Sequence, residues 1–543
     1  MEFTLSIIDI VIVVGSIALV IGVGLWAGWN QEKTARGYFL ASGRLPWYII
    51  GAAFVSTSVS SEQIVGTVGQ AYRTGMGVAN WEWWSLPVYV LLIVFFIPMF
   101  LRNKITTIPE FLNRRFSPLC GDIYSWVMLA AYVLVFLVPV LYGGSLTFSE
   151  LTGWSFHLIL WMTVVLVGAY AIKGGLSAVV WTDAVQCLML LGGGVLLFFL
   201  ALREIPGGWS AMVAAAPERF HLYHPPSDPV APFLAMILGS VGVFIFYSAG
   251  NQVMLQRVLG ARSMWDGMMG IIFAGLINMA RPLVTCFTGL ILWHWIHVMQ
   301  MEEPLVNADT AFPMTLKIFA PEWGLRGIIL AGFLAAIMST ISALTNSSAT
   351  LFSLDIYKRL INRQADDRRL VLVGRIASLC ALVLAAVIAP SVEHFGGIFL
   401  YFQQGVTYLA VPFITVVLFG LLWKRANRQS AQFGLIGGIV IMGLVVLADS
   451  AMKSQAVYDR IGLPGGLHWI YLGFIAQVII VIGIVIVAMA TAPPAAAQWE
   501  PFVWRPSHLA TLRDGPPQPW YRSLWLWFGV FAICWFYAYW RFW

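Results

Sequence analysis

The segment IGAAFVSTSVSSEQIVGTVGQAYRTGMGVANWEWWS (Ile50–Ser85) starts as a membrane span and then departs from one. Ser56, Thr57, Ser58, Ser60, Ser61, Glu62 and Gln63 crowd the middle of an apolar run, and the next run opens with Glu82 among tryptophans. An ionised side chain at the bilayer centre costs about 2.5–3.5 kcal/mol on insertion scales. Groups kept there at that cost mark the path of a polar solute or ion. A helix that stops and restarts inside the membrane also exposes backbone carbonyls, which bind cations where water is scarce.

Composition agrees. The 543 residues are 60% hydrophobic and 10% charged, with a mean hydropathy of +0.82. No soluble fold buries that much apolar surface, so the chain is read as an all-α polytopic membrane protein. Its partners are then the lipid bilayer and small solutes. The net charge of +6 fits Lys and Arg in cytoplasmic loops and does not require nucleic acid. Cys120, Cys187, Cys286, Cys380 and Cys534 have no CxxC spacing and read as small core residues. The N-terminus lacks a basic n-region, so its apolar run reads as a retained span.

Apolar runs long enough to cross about 30 Å of hydrocarbon fall near 5–27, 47–70, 80–101, 122–150, 155–172, 180–203, 232–258, 264–298, 325–357, 371–390, 394–423, 430–450, 467–491 and 522–541, fourteen in all. Of the 31 Lys and Arg, 22 lie on one set of alternate loops and 8 on the other. The positive-inside rule then places both termini outside. The loops at 204–231 and 299–324 and the cytoplasmic linker 492–521 read as solvated connectors.

A second interrupted span is LGSVGVFIFYSAGNQ (238–252), where glycines bracket an aromatic run that Asn251 and Gln252 close. The two broken spans are five apart, as an inverted five-plus-five repeat requires. A third polar patch runs from Ala336 to Ser348. Ser339 and Ser342 share a helix face, as do Ala336 and Thr340. Hydroxyls and free carbonyls without clustered carboxylates suit a weakly held monovalent cation; tight helix packing uses the same residue types. Asp183 begins a span, as a ligand or an interfacial helix-start carboxylate. Gln403 and Gln404 need partners within theirs.

At this point the chain resembles the sodium/solute symporter family, in its sodium/glucose cotransporter branch, and is similar to bacterial sodium/galactose symporters. The motifs are GYFLASGRLPW (37–47), SSEQIVG (60–66), ANWEWWS (79–85), TIPEFLNRRF (107–116), YAIKGGLSAVVWTDAVQ (170–186), NQVMLQRVL (251–259), AAIMSTISALTNSSATLFSLDIYKR (335–359) and GLLWKR (420–425). The resemblance implies the leucine-transporter-like fold. An extra N-terminal helix (1–30) precedes two five-helix repeats (47–203 and 232–423), and three C-terminal helices with the linker lie in 430–543. It implies alternating access driven by Na⁺, with no organic cofactor.

Carried over by motif position, a Na⁺ site is implied at the carbonyls of Ser56, Val59 and Ala336 and the hydroxyls of Ser339 and Thr340. Asp183 and Ser342 match a second one. Gln63, Glu82, Ser85 and Gln404 match positions that hydrogen-bond a sugar. Tyr247 matches an inner gate, Trp81 an outer cover and Thr67 a further lining position. Asn278 replaces a sugar-binding lysine, and Phe136 and Phe244 replace asparagines of the galactose pattern, so glucose, another hexose or a polyol such as inositol remains open. Arg281 is read as a cap for carbonyls freed by Pro282, or as a binder of a solute carboxylate.

The expected function is Na⁺-driven import of a neutral monosaccharide or polyol across a bacterial inner membrane. The alternative is a Na⁺ symporter for an organic acid, sialic acid or amino acid. No His, Cys, Asp or Glu cluster of catalytic spacing supports an enzyme, and no required protein partner is evident.

Overall fold

The computed structural model describes residues 4–29, 34–226, 228, 232–322, 324–395, 397–454, 457–460, 466–512 and 519–543. Parts of the expected N-terminal helix segment (1–3 and 30) and of the cytoplasmic linker (513–518) therefore lie outside the described residues. So do Pro229 and the loop cation Lys33.

Among the described residues the structure is helical, with one isolated bridge joining Leu45 to Ala261. The elements that position the site are α1 (Ile7–Trp29), α2 (Trp47–Ser58), α3 (Ser61–Thr74), α4 (Met76–Arg102), α5 (Pro118–Thr152), α6 (Gly175–Arg203), α7 (Phe233–Ile245), α8 (Gln252–Leu259), α9 (Met264–Thr285), α10 (Leu325–Thr350), α11 (Asp367–Ile388), α12 (Ile398–Leu422), α13 (Arg428–Ser454), α14 (Trp469–Ala490) and α15 (Leu524–Phe542). Among the described residues ten helices are long and apolar enough to span a membrane, or eleven when the bent pair Phe233–Gly239 and Gly242–Gly250 counts as one. Trp47–Ser58 and Phe156–Gly168 are shorter apolar helices.

The helices sort into an inner set and a lipid-facing set. The apolar window of α10 is 89% buried, whereas that of α1 is 17% buried. Small residues let the inner helices close up: a Cβ on Gly51 would lie 2.6 Å from the Gly270 carbonyl, so α2 and α9 meet backbone to backbone. Cys120, Cys187 and Cys286 are buried as expected, but Cys380 and Cys534 are exposed on α11 and α15.

Both interrupted spans are present. α2 ends at Ser58, Val59 and Ser60 are extended, and α3 restarts at Ser61. The run of hydroxyls assists the break, because such side chains compete for backbone groups; Ser58 Oγ donates to the Val55 carbonyl at 2.8 Å. The second break follows a wide turn over Phe246–Gly250 and leaves Asn251 extended. There the Tyr124 hydroxyl donates to the Gly250 carbonyl and the Tyr132 hydroxyl to Asn251 Oδ1, each at 2.7 Å.

The three connectors read as solvated have exposed stretches, but each also carries residues packed on the helices. The Arg219 guanidinium donates to the Ala71 and Tyr72 carbonyls at the end of α3. Asp309 Oδ2 accepts from the Ile398 amide at the start of α12. Phe502 and Val503 of the linker are buried, and Trp504 donates to the Val94 carbonyl on α4 and, through its amide, to Leu421 on α12. Each supplies a partner to a helix end that would otherwise leave backbone groups unpaired.

The buried Asp9 does the same for α10. Its Oδ1 accepts from the amides of Gly324 (2.9 Å) and Gly327 (2.8 Å), placing a carboxylate at the positive end of the helix. Asp9→Ala should therefore lower the thermal unfolding temperature in detergent, for a loss of about 1–2 kcal/mol. A midpoint equal to wild type would mean that the cap contributes nothing.

Candidate functional site

The break in α2 faces α10. Ser339 Oγ donates to the Ser56 carbonyl at 3.1 Å and to the Ala336 carbonyl at 3.0 Å. Thr340 Oγ1 donates to the Thr57 carbonyl at 3.3 Å. Ser56, Val59, Ala336 and Ser339 are fully buried, and Thr340 nearly so. Helix spacing alone puts Ala336, Ser339 and Thr340 on one face; the break brings the α2 carbonyls to them. Val59 lies within the break itself. This donor set of neutral oxygens fits a small hard monovalent cation, which would enter as cargo. Among the described residues no cluster of His, Cys, Asp and Glu could hold a metal ion.

Asp183 lies within α6 and not at its first turn. It is fully buried in α6, with Oδ2 paired to Arg257 at 2.7 Å and accepting from Thr57 Oγ1 at 3.2 Å. Among the described residues its Oδ1 has no partner. Ser342 Oγ donates to the Ser339 carbonyl at 2.9 Å. Asp183 therefore reaches the broken helix through Thr57, and Ser342 adjoins the hydroxyl cluster through Ser339.

A cavity opens just beyond the break, bounded by α2, α3, α4, α7, α9 and α12. Gln63, Trp81, Glu82, Ser85, Tyr247 and Asn278, six of the residues expected to face a solute, line it together. Thr67 and Gln404 do not. Thr67 is fully buried one turn further along α3. On α12 it is Phe402, Gln403 and Val406 that face the cavity. Adjacent helical residues point about 100° apart, and the packing of α12 selects Gln403 rather than Gln404. Phe244 lines the cavity, whereas Phe136 stands behind it, stacked on Tyr247 with ring centroids 6.4 Å apart.

The polar groups form one network. Glu82 Oε2 lies 2.5 Å from Arg281 Nη2 as a buried ion pair. Glu82 Oε1 accepts from Gln63 Nε2 at 2.7 Å and from Thr285 Oγ1 at 3.3 Å. Arg281 Nη1 donates to Ser58 Oγ and Asn278 Oδ1, both at 3.2 Å, and Nη2 reaches the Ser58 carbonyl at 3.4 Å. Asn278 Nδ2 donates to the Tyr89 hydroxyl at 2.8 Å. This corrects the expectation for Arg281. It caps a carbonyl at the end of α2, not one freed by Pro282, and its charge is matched by Glu82. Two charges in this setting hold each other in place, because neither is tolerable alone.

Aromatic rings bound the cavity on two sides. Trp81 packs on Phe244 (5.1 Å) and stacks on Trp469 (5.6 Å). On the other side Tyr247 meets Phe136 and Phe402, each at 6.4 Å. Sequence reasoning missed Tyr89, Thr285, Phe402 and Trp469, which carry no local signal; Ser58 and Gln403 were marked as polar groups in need of partners but given no place at the solute.

Because each charge of the ion pair is buried against the other, Arg281→Met alone should cost about 3–5 kcal/mol of stability. Glu82→Met/Arg281→Met together should cost less than the sum of the single changes, read by thermal unfolding in detergent. Additive losses would show that the two charges do not depend on each other.

Comparison with known proteins gives the chain a family and a fold. A model of the sodium:solute symporter family matches residues 38–438. A sodium/glucose cotransporter of Vibrio parahaemolyticus is 34% identical over 462 residues, covering 81% of this chain and 85% of the relative. A human sodium/myo-inositol cotransporter is 29% identical over 543 residues, covering 92% of this chain and 75% of that protein. Among solved structures, a substrate-bound, outward-open Na⁺-coupled sialic acid symporter superposes with a TM-score of 0.77 at 23% identity, covering 90% of this chain and 98% of the other. That likeness shows a shared, leucine-transporter-like fold.

Proposed function

The chain belongs to the sodium:solute symporter family, and on that premise we propose that it is a Na⁺-driven symporter importing a neutral monosaccharide or polyol. The observation that carries the choice of solute is the charge balance of the cavity. Glu82 and Arg281 neutralise each other. With its charge matched, Glu82 can still accept from a solute hydroxyl, beside Gln63, Ser85, Asn278, Gln403 and the aromatic faces of Trp81, Phe244 and Tyr247. Amides and hydroxyls satisfy ring hydroxyls, and aromatic faces stack on the apolar face of a sugar. The sodium/glucose and sodium/myo-inositol cotransporters among its relatives support the same class.

We assign the coupling Na⁺ to the oxygens of Ser56, Val59, Ala336, Ser339 and Thr340. On binding, the Ser339 and Thr340 hydroxyls would turn their lone pairs from the α2 carbonyls toward the cation. The Oδ1 of Asp183, without a partner among the described residues, and the Ser342 hydroxyl beside Ser339 support a second Na⁺. Solute affinity is assigned to Gln63, Glu82, Ser85, Asn278 and Gln403, with Trp81 as the outer cover and Tyr247 as the inner gate. The topology that accompanies this reading has fourteen spans, both termini outside, repeats at 47–203 and 232–423, and a bacterial inner membrane around them.

The second reading, an organic acid or sialic acid, is favoured by one observation. Arg281 Nε is buried without a partner among the described residues. A solute carboxylate would then have to compete with Glu82 for the guanidinium.

Uptake into proteoliposomes under a Na⁺ gradient decides between the two, using glucose, galactose, myo-inositol, sialic acid and proline. Uptake of a hexose or of inositol that collapses without the gradient is the expected result; uptake of an acid alone would overturn the sugar reading. In the same assay, a sigmoid dependence of rate on Na⁺ supports the second ion site and a hyperbolic one removes it.

A further inference from the structure

The C-terminal helix α15 lies far from the family's motifs in sequence, yet it packs behind the cavity. Phe531, Trp535 and Tyr539 recur at four-residue spacing and form one helical stripe. Phe531 is fully buried, close enough that a Cβ on Gly275 of α9 would lie 2.6 Å from its ring. Tyr539 is 7% exposed, whereas Phe536, Tyr537 and Trp540 on the other face are exposed at 63%, 60% and 76%. α15 therefore has one exposed face and one face packed on the helices that wall the site.

The buried face grips one irregular turn. α4 does not begin as a regular helix: a short helix covers Asn80–Trp83, Trp84 departs from helical geometry (φ −70°, ψ 15°), and the helix resumes at Ser85. Glu82 and Ser85 both stand on this irregularity. The Tyr539 hydroxyl donates to Asn80 Oδ1 at 2.8 Å, and the Trp535 indole N–H donates to the Trp83 carbonyl. Asn80 Nδ2 in turn holds the carbonyls of Gly77 (3.0 Å) and Leu222 (2.9 Å), and the Leu222 amide donates to the Phe542 carbonyl at 2.7 Å. Trp83 stacks on Phe542, with centroids 5.7 Å apart. Among the described residues, no side chain of α15 lines the cavity itself.

We propose that Trp535 and Tyr539 are positioning residues for the solute wall. They hold the Asn80–Trp84 turn in the one arrangement that points Glu82 and Ser85 into the cavity, and thereby set solute affinity. Their bonds run to this turn and not to the Ser56–Ser339 cluster, so Na⁺ affinity should not follow. The inference rests on the assignment of Glu82 and Ser85 to solute binding but not on which solute is carried.

The test uses the full chain in proteoliposomes and whichever solute of the uptake panel the wild type transports. Tyr539→Phe removes one hydroxyl and keeps the ring. Its solute KM should rise roughly fivefold, as expected for one buried hydrogen bond lost, with maximal rate unchanged and half-saturating Na⁺, read at saturating solute, unchanged as well. Trp535→Phe should do the same and carries the test if Tyr539→Phe does not assemble. Tyr537→Phe, on the exposed face, should behave as wild type. An unchanged KM in Tyr539→Phe, or a KM that shifts together with half-saturating Na⁺, overturns the proposal. Absence of wild-type uptake of any sugar or polyol would instead count against the sugar reading, and the KM comparison would then be made with the acid that is carried.

Discussion

A helix broken in the middle of a membrane must find partners for the backbone groups it frees, because lipid supplies none. Much of this structure answers that constraint at two places. At the second break the answer is fixed: phenol hydroxyls of Tyr124 and Tyr132, from α5, close on Gly250 and Asn251. At the first break it is provisional. The carbonyls of Ser56 and Thr57 are met by the small hydroxyls of Ser339 and Thr340, and that of Ser58 by Arg281. Hydroxyls both donate and accept, so this closure can be exchanged for a cation without leaving an oxygen stranded.

Under the proposed assignment, that asymmetry would link ion to solute over a short path. Residues 56 and 57 face the hydroxyl cluster. Ser58 contacts Arg281, Arg281 holds Glu82, and Glu82 holds Gln63 on the far side of the same break. Ordering the carbonyl side of the break also orders the solute side. Coupling of this kind is reciprocal: whatever Na⁺ does to solute affinity, the solute does to Na⁺ affinity.

The sequence disclosed those parts of the site that depend on local spacing. Ser339 and Thr340 announce themselves on one face of α10, and the polar run of 56–63 marks the break by residue type alone. What depended on helix rotation or long-range packing did not show. Gln403 and Gln404 are neighbours in sequence, and only the seating of α12 decides which of them enters the cavity. Arg281 carried a visible charge but no hint that its partner was Glu82, on another helix. The 492–521 linker read as solvated, and most of its described residues are exposed, but Phe502 and Val503 are buried and Trp504 bonds to two helices. α15 is aromatic on every side, so its site-facing stripe had no contrast to stand out against.

The central claim is that Na⁺ and solute communicate through this one broken helix. It is tested most directly by calorimetric titration of the purified protein with its transported solute, at low and at saturating Na⁺. Ser339→Ala is compared with wild type. The account predicts that Na⁺ tightens solute binding by roughly tenfold in wild type, a coupling of about 1.4 kcal/mol, and that the factor falls toward one in Ser339→Ala. An undiminished factor in the variant would contradict it.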